Sequence, residues 1–283
     1  MNKKNPISAW KQSIQGLVCG RTITEQTDTI RENGNHGMVS ALRAGVLAAH
    51  GISAPKEQAE NCLIFGCYRP FTTPFLLRDY TALLDLFRLD YTYLNDEKCC
   101  GLPLVAQTGE EESDYIGKLC EDFTSHNIAR SKEKGANKLV YCCAGCAYSA
   151  RERFNHDHES HLFILDLIFN EIKKMNLKCK PAVMGYFGGC HTYFKKTFPN
   201  SGMNWASYRS ELSRIEGLEL VDVKGMCCKT SAGKIIERAE IEGLEEVICP
   251  CNFCYVSLKQ AAGDRLKITS MPEFLLRILK EES

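Results

Sequence analysis

Two cysteine series in the same order run through this chain, and that duplication restricts its possible folds more than any other feature. The first series is Cys67 in NCLIFGCYRPF, Cys99 and Cys100 in EKCCGLPL, then Cys142, Cys143 and Cys146 in KLVYCCAGCAYSA. The second is Cys190 in VMGYFGGCHTYF, Cys227 and Cys228 in KGMCCKTSAG, then Cys249, Cys251 and Cys254 in EVICPCNFCYVSL. Loop lengths differ between the halves while the order of the pieces does not. Each half also closes on an apolar helical stretch, HLFILDLIFNEIKKM at 161–175 and MPEFLLRILKEE at 271–282. A pattern that occurs twice implies two similar domains, and 283 residues suffice for two at roughly 150 each.

Secondary structure can be read around these landmarks. Short apolar runs, Cys62 to Phe65 and Ala182 to Phe187, end at a glycine and a cysteine, as buried strands of a parallel sheet do. Leu139–Tyr141 and Val247–Ile248 read the same way, and each feeds a CxxC that opens a helix. Helical patterns lie between them at Phe75–Leu89, Asp114–Lys134, Trp205–Glu216 and Gly233–Gly243. Strands alternating with helices predict an α/β fold with mainly parallel strands. Ligands of such sheets sit at the carboxyl ends of the strands, where every cysteine cluster falls.

Residues 1–60 differ in character, with one cysteine, Cys19, and an amphipathic stretch His36–His50 that Pro55 ends. They are expected to form a short helical extension packing on the body or on a partner. The domain limits read from the series are 61–177 and 178–283.

Composition narrows the chemistry. Thirty-five Lys and Arg balance 35 Asp and Glu, so the chain lacks the concentrated positive field that nucleic acid or an anionic membrane requires. Sixteen cysteines are too few for a small disulfide scaffold and too many for indifferent core filling. With no apolar run of about 18 residues and no secretory leader in MNKKNPISAWKQ, no transmembrane segment and a cytoplasmic location are expected. In a reducing compartment, clustered cysteines read as metal ligands or redox thiols.

If the three strand ends of each half are neighbours, five thiols converge there. A tetrahedral zinc needs four N or S ligands, whereas five thiols including an adjacent pair suit a multi-iron sulfide cluster better. The helix opening at each CxxC adds a positive dipole end that favours thiolate. Gly66, Gly101, Gly145, Gly188 and Gly189 would allow close backbone approach to a bulky group. Ligand identity stays open within Cys142/Cys143 and within Cys249/Cys251. Cys143 and Cys251 are preferred because each begins a CxxC in the same register. Cys19, Cys62, Cys120, Cys142, Cys179 and Cys249 then read as small buried hydrophobes.

On these motifs the chain resembles the cysteine-rich CCG-domain family, which includes the B subunit of heterodisulfide reductase and iron–sulfur subunits of lactate, glycolate and glycerol-3-phosphate oxidation systems. The resemblance covers residues 61–283. It implies two tandem duplicated CCG domains related by a pseudo-twofold, each carrying a noncubane 4Fe-4S cluster held by five cysteines. Carried over, one set is Cys67, Cys99, Cys100, Cys143 and Cys146, and the other is Cys190, Cys227, Cys228, Cys251 and Cys254. It further implies a small disulfide substrate between the clusters and a ferredoxin-like iron–sulfur subunit or flavoprotein as electron donor. MVSALRAGVLAAHG is similar to the helix after the last cysteine run of the family's ferredoxin-like module, so the extension reads as a cluster-less remnant fed by a separate protein. The second half departs from the family in having CCK, with Lys229 where the first has Gly101. A lysine there crowds the cluster, raises its potential, or turns outward to solvent.

The leading functional expectation is a disulfide reductase-like oxidoreductase subunit of an anaerobic complex. An electron-relay subunit of an organic-acid oxidation system is the near alternative. A zinc-stabilised interaction module and a thioredoxin-like enzyme using Cys143–Cys146 or Cys251–Cys254 are alternatives of other classes. His156, His158 and His161 in NHDHESHLF read as a solvated helix entry rather than as metal ligands. His191 follows Cys190 and could donate to a cluster sulfur or a substrate thiolate. TSAGK at 230–234 lacks the pattern of a phosphate loop.

Overall fold

A computed structural model of the chain describes residues 21–35, 40–105, 113–157, 159–189, 205–225 and 227–281. These form two compact units divided between Ile164 and Leu165. The protein is α/β, with one four-stranded, all-parallel sheet in each unit.

In the first unit the strands are β1 (Asn61–Ile64), β2 (Tyr91–Tyr93), β3 (Lys138–Tyr141) and β4 (His161–Phe163), in the order β2-β1-β3-β4. Every residue of β1 is buried, as expected for a strand whose two faces are both covered. The covering helices include α4 (Pro74–Leu86), which turns Leu76, Leu77, Tyr80, Leu83 and Leu84 inward at helical spacing. Pro74 stands in its first turn, where the missing N–H costs no helical bond. The long helix α6 (Ser113–Glu133) follows α5 (Leu102–Val105).

Two further helices, α1 (Ile23–Asn33) and α2 (Leu42–Ala49), belong to this unit. Thr22 opens α1 with a reciprocal cap, its hydroxyl accepting from Glu25 N at 3.2 Å while Glu25 Oε2 accepts from Thr22 N at 2.7 Å. The far end of α1 docks on the segment before the Cys99–Cys100 pair. Gly34 O accepts from Cys99 N at 2.7 Å, and Lys98 Nζ donates to Arg31 O at 2.5 Å. Ile30 is fully buried against Cys67, Cys99, Leu104 and Ile116.

The second unit repeats the same strand order. Its strands are β5 (Lys178–Tyr186), β6 (Glu216–Asp222), β7 (Glu246–Cys249) and β8 (Lys267–Ser270), arranged β6-β5-β7-β8. Around them lie α8 (Ile164–Ile172), α9 (Trp205–Leu212), α10 (Cys228–Ile241), α11 (Asn252–Ala262) and α12 (Met271–Glu281). Phe187, Ile236, Ile248, Leu258, Phe274 and Leu275 form its apolar centre. Among the described residues, no helix is long and apolar enough to cross a membrane.

The central strands lie where the apolar runs placed them, whereas the outer strands differ from the periodicity. His161–Phe163, expected to begin a helix, pairs instead with Leu139–Tyr141 as β4, and the helix starts at Ile164. Glu216, expected to end a helix, begins β6. Pairing with a preformed neighbour decides these segments, because three to seven residues of mixed polarity carry little preference of their own. TSAGK lies within α10 and forms no phosphate loop.

Candidate metal centre

The order β2-β1-β3-β4 has its switch point between β1 and β3, the place where sheets of this kind form a ligand crevice beyond the carboxyl ends of their strands. Cys67 follows β1 and Cys143 follows β3, and a bond from Cys142 N to Ile64 O at 2.9 Å holds these two ends together. Cys143 caps the N-terminus of α7 (Ala144–Tyr148), placing Cys146 in its first turn.

Five thiols meet at this crevice as a continuous string. Cys67 Sγ lies 3.3 Å from Cys99 Sγ. Cys99 and Cys100 are hydrogen-bond neighbours, Cys100 contacts Cys146, and Cys146 contacts Cys143. Cys67, Cys99 and Cys146 are buried, while Cys100 and Cys143 are partly exposed and form the open side. Gly66 has φ +87°, and a Cβ on it would stand 3.2 Å from Cys143 Cβ and 3.7 Å from Cys146 Sγ. The floor of the crevice is therefore backbone that only glycine can form.

Proton affinities alternate from Cys99 through Cys100 and Cys146 to Cys143. Contact with Cys146 and Cys99 pulls Cys100 well below the usual thiol range, helped by Leu102 N–H and Ser149. Cys146 likewise brings Cys143 down to about 6, with help from Arg69. Cys99 and Cys146 move well up because each donates to thiol neighbours, Cys100 first in both cases. The neighbouring thiols thus favour the thiolate form of Cys100 and Cys143, and thiolate is the form that binds metal.

The supporting residues were not evident from sequence. Glu97 is completely buried and accepts from Arg43 Nη2 at 2.7 Å, Phe65 N at 2.9 Å and Gly66 N at 2.5 Å. It thereby fastens α2 to the turn that carries Cys67. Burial pushes its carboxyl up, against the pull of Arg43 and the two N–H groups. Asn127 of α6 clamps Lys98 from both sides, accepting from its N at 2.7 Å and donating to its O at 2.8 Å. Arg69 Nη2 reaches Cys143 Sγ at 3.5 Å. The only available sequence signals were two residue positions, Glu97 two before Cys99 and Arg69 two after Cys67.

The second unit brings together Cys228, Cys251 and Cys254, the last raised well above the usual range by contact with Cys228 and then Cys251. Cys227 and Cys251 cap α10 and α11. Cys190 and His191 lie outside the described residues, as do Cys19 and His158. The two adjacent pairs have different backbones. After Cys100 the chain turns through Gly101 at φ +71°, whereas after Cys227 it enters α10 at once, and Lys229 is in that helix. Lysine meets no backbone obstacle there because no left-handed turn is needed.

Cys62, Cys120, Cys142 and Cys249 are buried, and Cys179 is partly exposed on β5. His161 accepts or donates at Nδ1 to Tyr141 Oη at 2.7 Å and stacks on His156 at 4.4 Å between ring centres. Asp157 caps the turn before β4 through Glu159 N and Ser160 N, so the segment enters a strand with His161 buried, in place of the solvated helix entry expected.

The first thiol set fits an iron–sulfur group by its donor chemistry and by one buried hydroxyl directed to sulfur. Ser149 is fully buried, and its hydroxyl acts on the Cys100 thiol, favouring the thiolate, so the site already offers a donor to sulfur. Among the described residues, no group of three or more His, Cys, Asp and Glu side chains is arranged for a single metal ion.

Residues 63–150, which contain this whole thiol set, match the family described as Cysteine-rich domain, CCG. The match lies within the first unit. The chain is 32% identical over 91 residues to the D subunit of dihydromethanophenazine:CoB–CoM heterodisulfide reductase from Methanosarcina acetivorans, covering 32% of this chain and 21% of that protein. It is 25% identical over 247 residues to the C subunit of anaerobic glycerol-3-phosphate dehydrogenase from Escherichia coli K12, covering 76% of this chain and 59% of the relative. The chain thus spans about one fifth and about three fifths of these two relatives' lengths.

Proposed function

We propose that this chain is an iron–sulfur electron-transfer subunit of an oxidoreductase complex. The observation that carries the reading is the unbroken string Cys67, Cys99, Cys100, Cys146 and Cys143 at the switch point of the first sheet. Five sulfurs exceed what one tetrahedral zinc can use, and a 4Fe-4S group of noncubane type would supply one-electron storage there. The residues of the chain hold its ligands: Glu97 and Asn127 fix the two loops, α7 presents Cys143 and Cys146, and Ser149 and Arg69 offer donors to sulfur.

A second such group is proposed on Cys190, Cys227, Cys228, Cys251 and Cys254, within cysteine-rich domains spanning 61–177 and 178–283. Support comes from the repeated strand order and from the contacts among Cys228, Cys251 and Cys254. Electrons come from a partner protein, ferredoxin-like or flavin-bearing.

Two uses of these electrons are compatible with the site. Similarity over 76% of the chain to a glycerol-3-phosphate dehydrogenase subunit favours relay from an organic-substrate dehydrogenase to another carrier. Similarity at 32% identity to a heterodisulfide reductase subunit supports the second reading, reduction of a small disulfide. Anaerobic metal and sulfide analysis tests the common core. Iron with labile sulfide is expected, and zinc without iron would overturn it. Reoxidation of the reduced protein by thiol-coenzyme disulfides separates the two uses, because a relay subunit is not reoxidised by any of them.

A further inference from the structure

Arg69 supplies no thiol, yet it ties two of the cysteine segments together. It opens the short helix α3 (Arg69–Thr72) two residues after Cys67, and its Nη2 lies 3.5 Å from the sulfur of Cys143, which comes from the other side of the crevice. Its stem runs over the glycine floor, with Cγ 3.9 Å from the position a Gly66 Cβ would occupy. Bonds from Thr72 N to Tyr68 O at 2.9 Å and from Thr73 N to Arg69 O at 3.0 Å fix the backbone beneath it. The side chain is partly exposed and stands beside Cys143, on the open side of the thiol set.

A guanidinium stays charged at any working pH. In a half-buried place its field acts on a neighbour a few ångströms away with less screening than in water. Hydrogen bonds to ligand sulfurs and nearby positive charge both favour the more negative, reduced form of a thiolate-held redox group. At the corresponding place in the second series, two residues after Cys190, the sequence has the uncharged Thr192.

We infer that Arg69 is a positioning residue that sets the reduction potential of the redox group held by the first thiol set, acting through Cys143. The inference rests on the iron–sulfur reading of that set. One-electron reduction adds a single negative charge to the group without making or breaking a bond, and Arg69 stabilises that added charge. Arg69 also distinguishes the first site from the second, whose series lacks a cation at this position.

The test uses the full chain reconstituted anaerobically with iron and sulfide, as wild type, Arg69→Gln and Arg69→Lys. Iron and sulfide per chain are measured first, then the midpoint potential by redox titration followed by electron paramagnetic resonance. All three proteins should hold equal iron. At a fixed potential, Arg69→Gln should lower the reduced-to-oxidised ratio about tenfold, equivalent to about 59 mV for a one-electron couple, and Arg69→Lys should restore most of it. An unmoved midpoint in Arg69→Gln with full iron overturns the inference alone, as does an equal fall in both variants. Iron lost from Arg69→Gln shows a merely structural role and also overturns it. Wild-type protein that takes up no iron overturns the underlying reading together with the inference.

Discussion

Arg43 and Glu97 form an ion pair at 2.7 Å with side-chain exposures of 5% and 0%, joining helix α2 to the segment that leads into Cys99. The same carboxylate holds Phe65 N and Gly66 N, so one buried charge organises both the N-terminal helices and the Cys67 turn. Breaking a buried pair from one side leaves the other charge unpaired, which typically costs about 3–5 kcal/mol. Glu97→Ala should lower unfolding stability in urea by that amount and release iron from the first site. Arg43→Met combined with Glu97→Leu should recover only the part of that loss due to the unpaired charge and none of the iron, because the two backbone donors beside Cys67 stay without an acceptor.

Gly101 and Lys229 occupy equivalent sequence places and different backbone conformations. A Cβ on Gly101 would fall 2.1 Å from Cys120 Sγ, and φ is +71°. Gly101→Ala should therefore cost at least about 2 kcal/mol from overlap and left-handed strain together. Adding Cys120→Ala should return only the overlap part. Lys229→Gly should cost only about 0.5–1 kcal/mol, the usual penalty of glycine in a helix. Thermal and urea unfolding of these variants checks the order.

His161 is buried beside His156 and Arg151, and burial first, then the neighbouring imidazole, lowers its pKa to about 4 from the usual 6.5. The unfolded chain therefore binds a proton between pH 6.5 and 4 that the folded chain refuses. Folding stability should be unaffected by this residue above pH 6.5 and should fall by about 3 kcal/mol as pH drops to 4. His161→Phe should flatten that part of the profile, as read from urea unfolding at pH values of about 7.5 and 3.5, either side of the window.

Cys142 and Cys143 are adjacent and differ in role. Cys142 is 1% exposed, with its thiol pushed well up by burial, while Cys143 caps α7 and belongs to the thiol string. Cys143→Ser should remove about half of the bound iron, the share of the first of the two proposed clusters. Cys142→Ala should keep all the iron and lose about 1 kcal/mol of stability to the small cavity. Iron analysis beside urea unfolding separates the two.

Much of this was legible in the chain itself. The apolar runs ending at Phe65, Tyr141 and Ile248 marked the central strands β1, β3 and β7, because a strand covered on both faces must be apolar throughout, whereas β5 begins at Lys178, before its run, and is buried only at its end, Met184–Tyr186. The order of the cysteines marked where their ends meet. The outer strands β2, β4, β6 and β8 were not legible, since each takes its conformation from the neighbour it pairs with. Glu97, Arg43 and Arg69 were hidden for the same reason. Nothing local distinguishes Glu97 from a surface glutamate until α2 and the Cys67 turn close around it.

Sequence by itself determined the duplicated α/β plan and the residues able to supply thiols, because periodicity and residue chemistry are local properties. Only the tertiary structure decided that five of those thiols touch in the order Cys67, Cys99, Cys100, Cys146, Cys143, and that a buried carboxylate and a guanidinium support them. Contacts between strand ends far apart in the chain depend on strand order and crossover. Those follow from burying both faces of the sheet together, a condition no short segment can express.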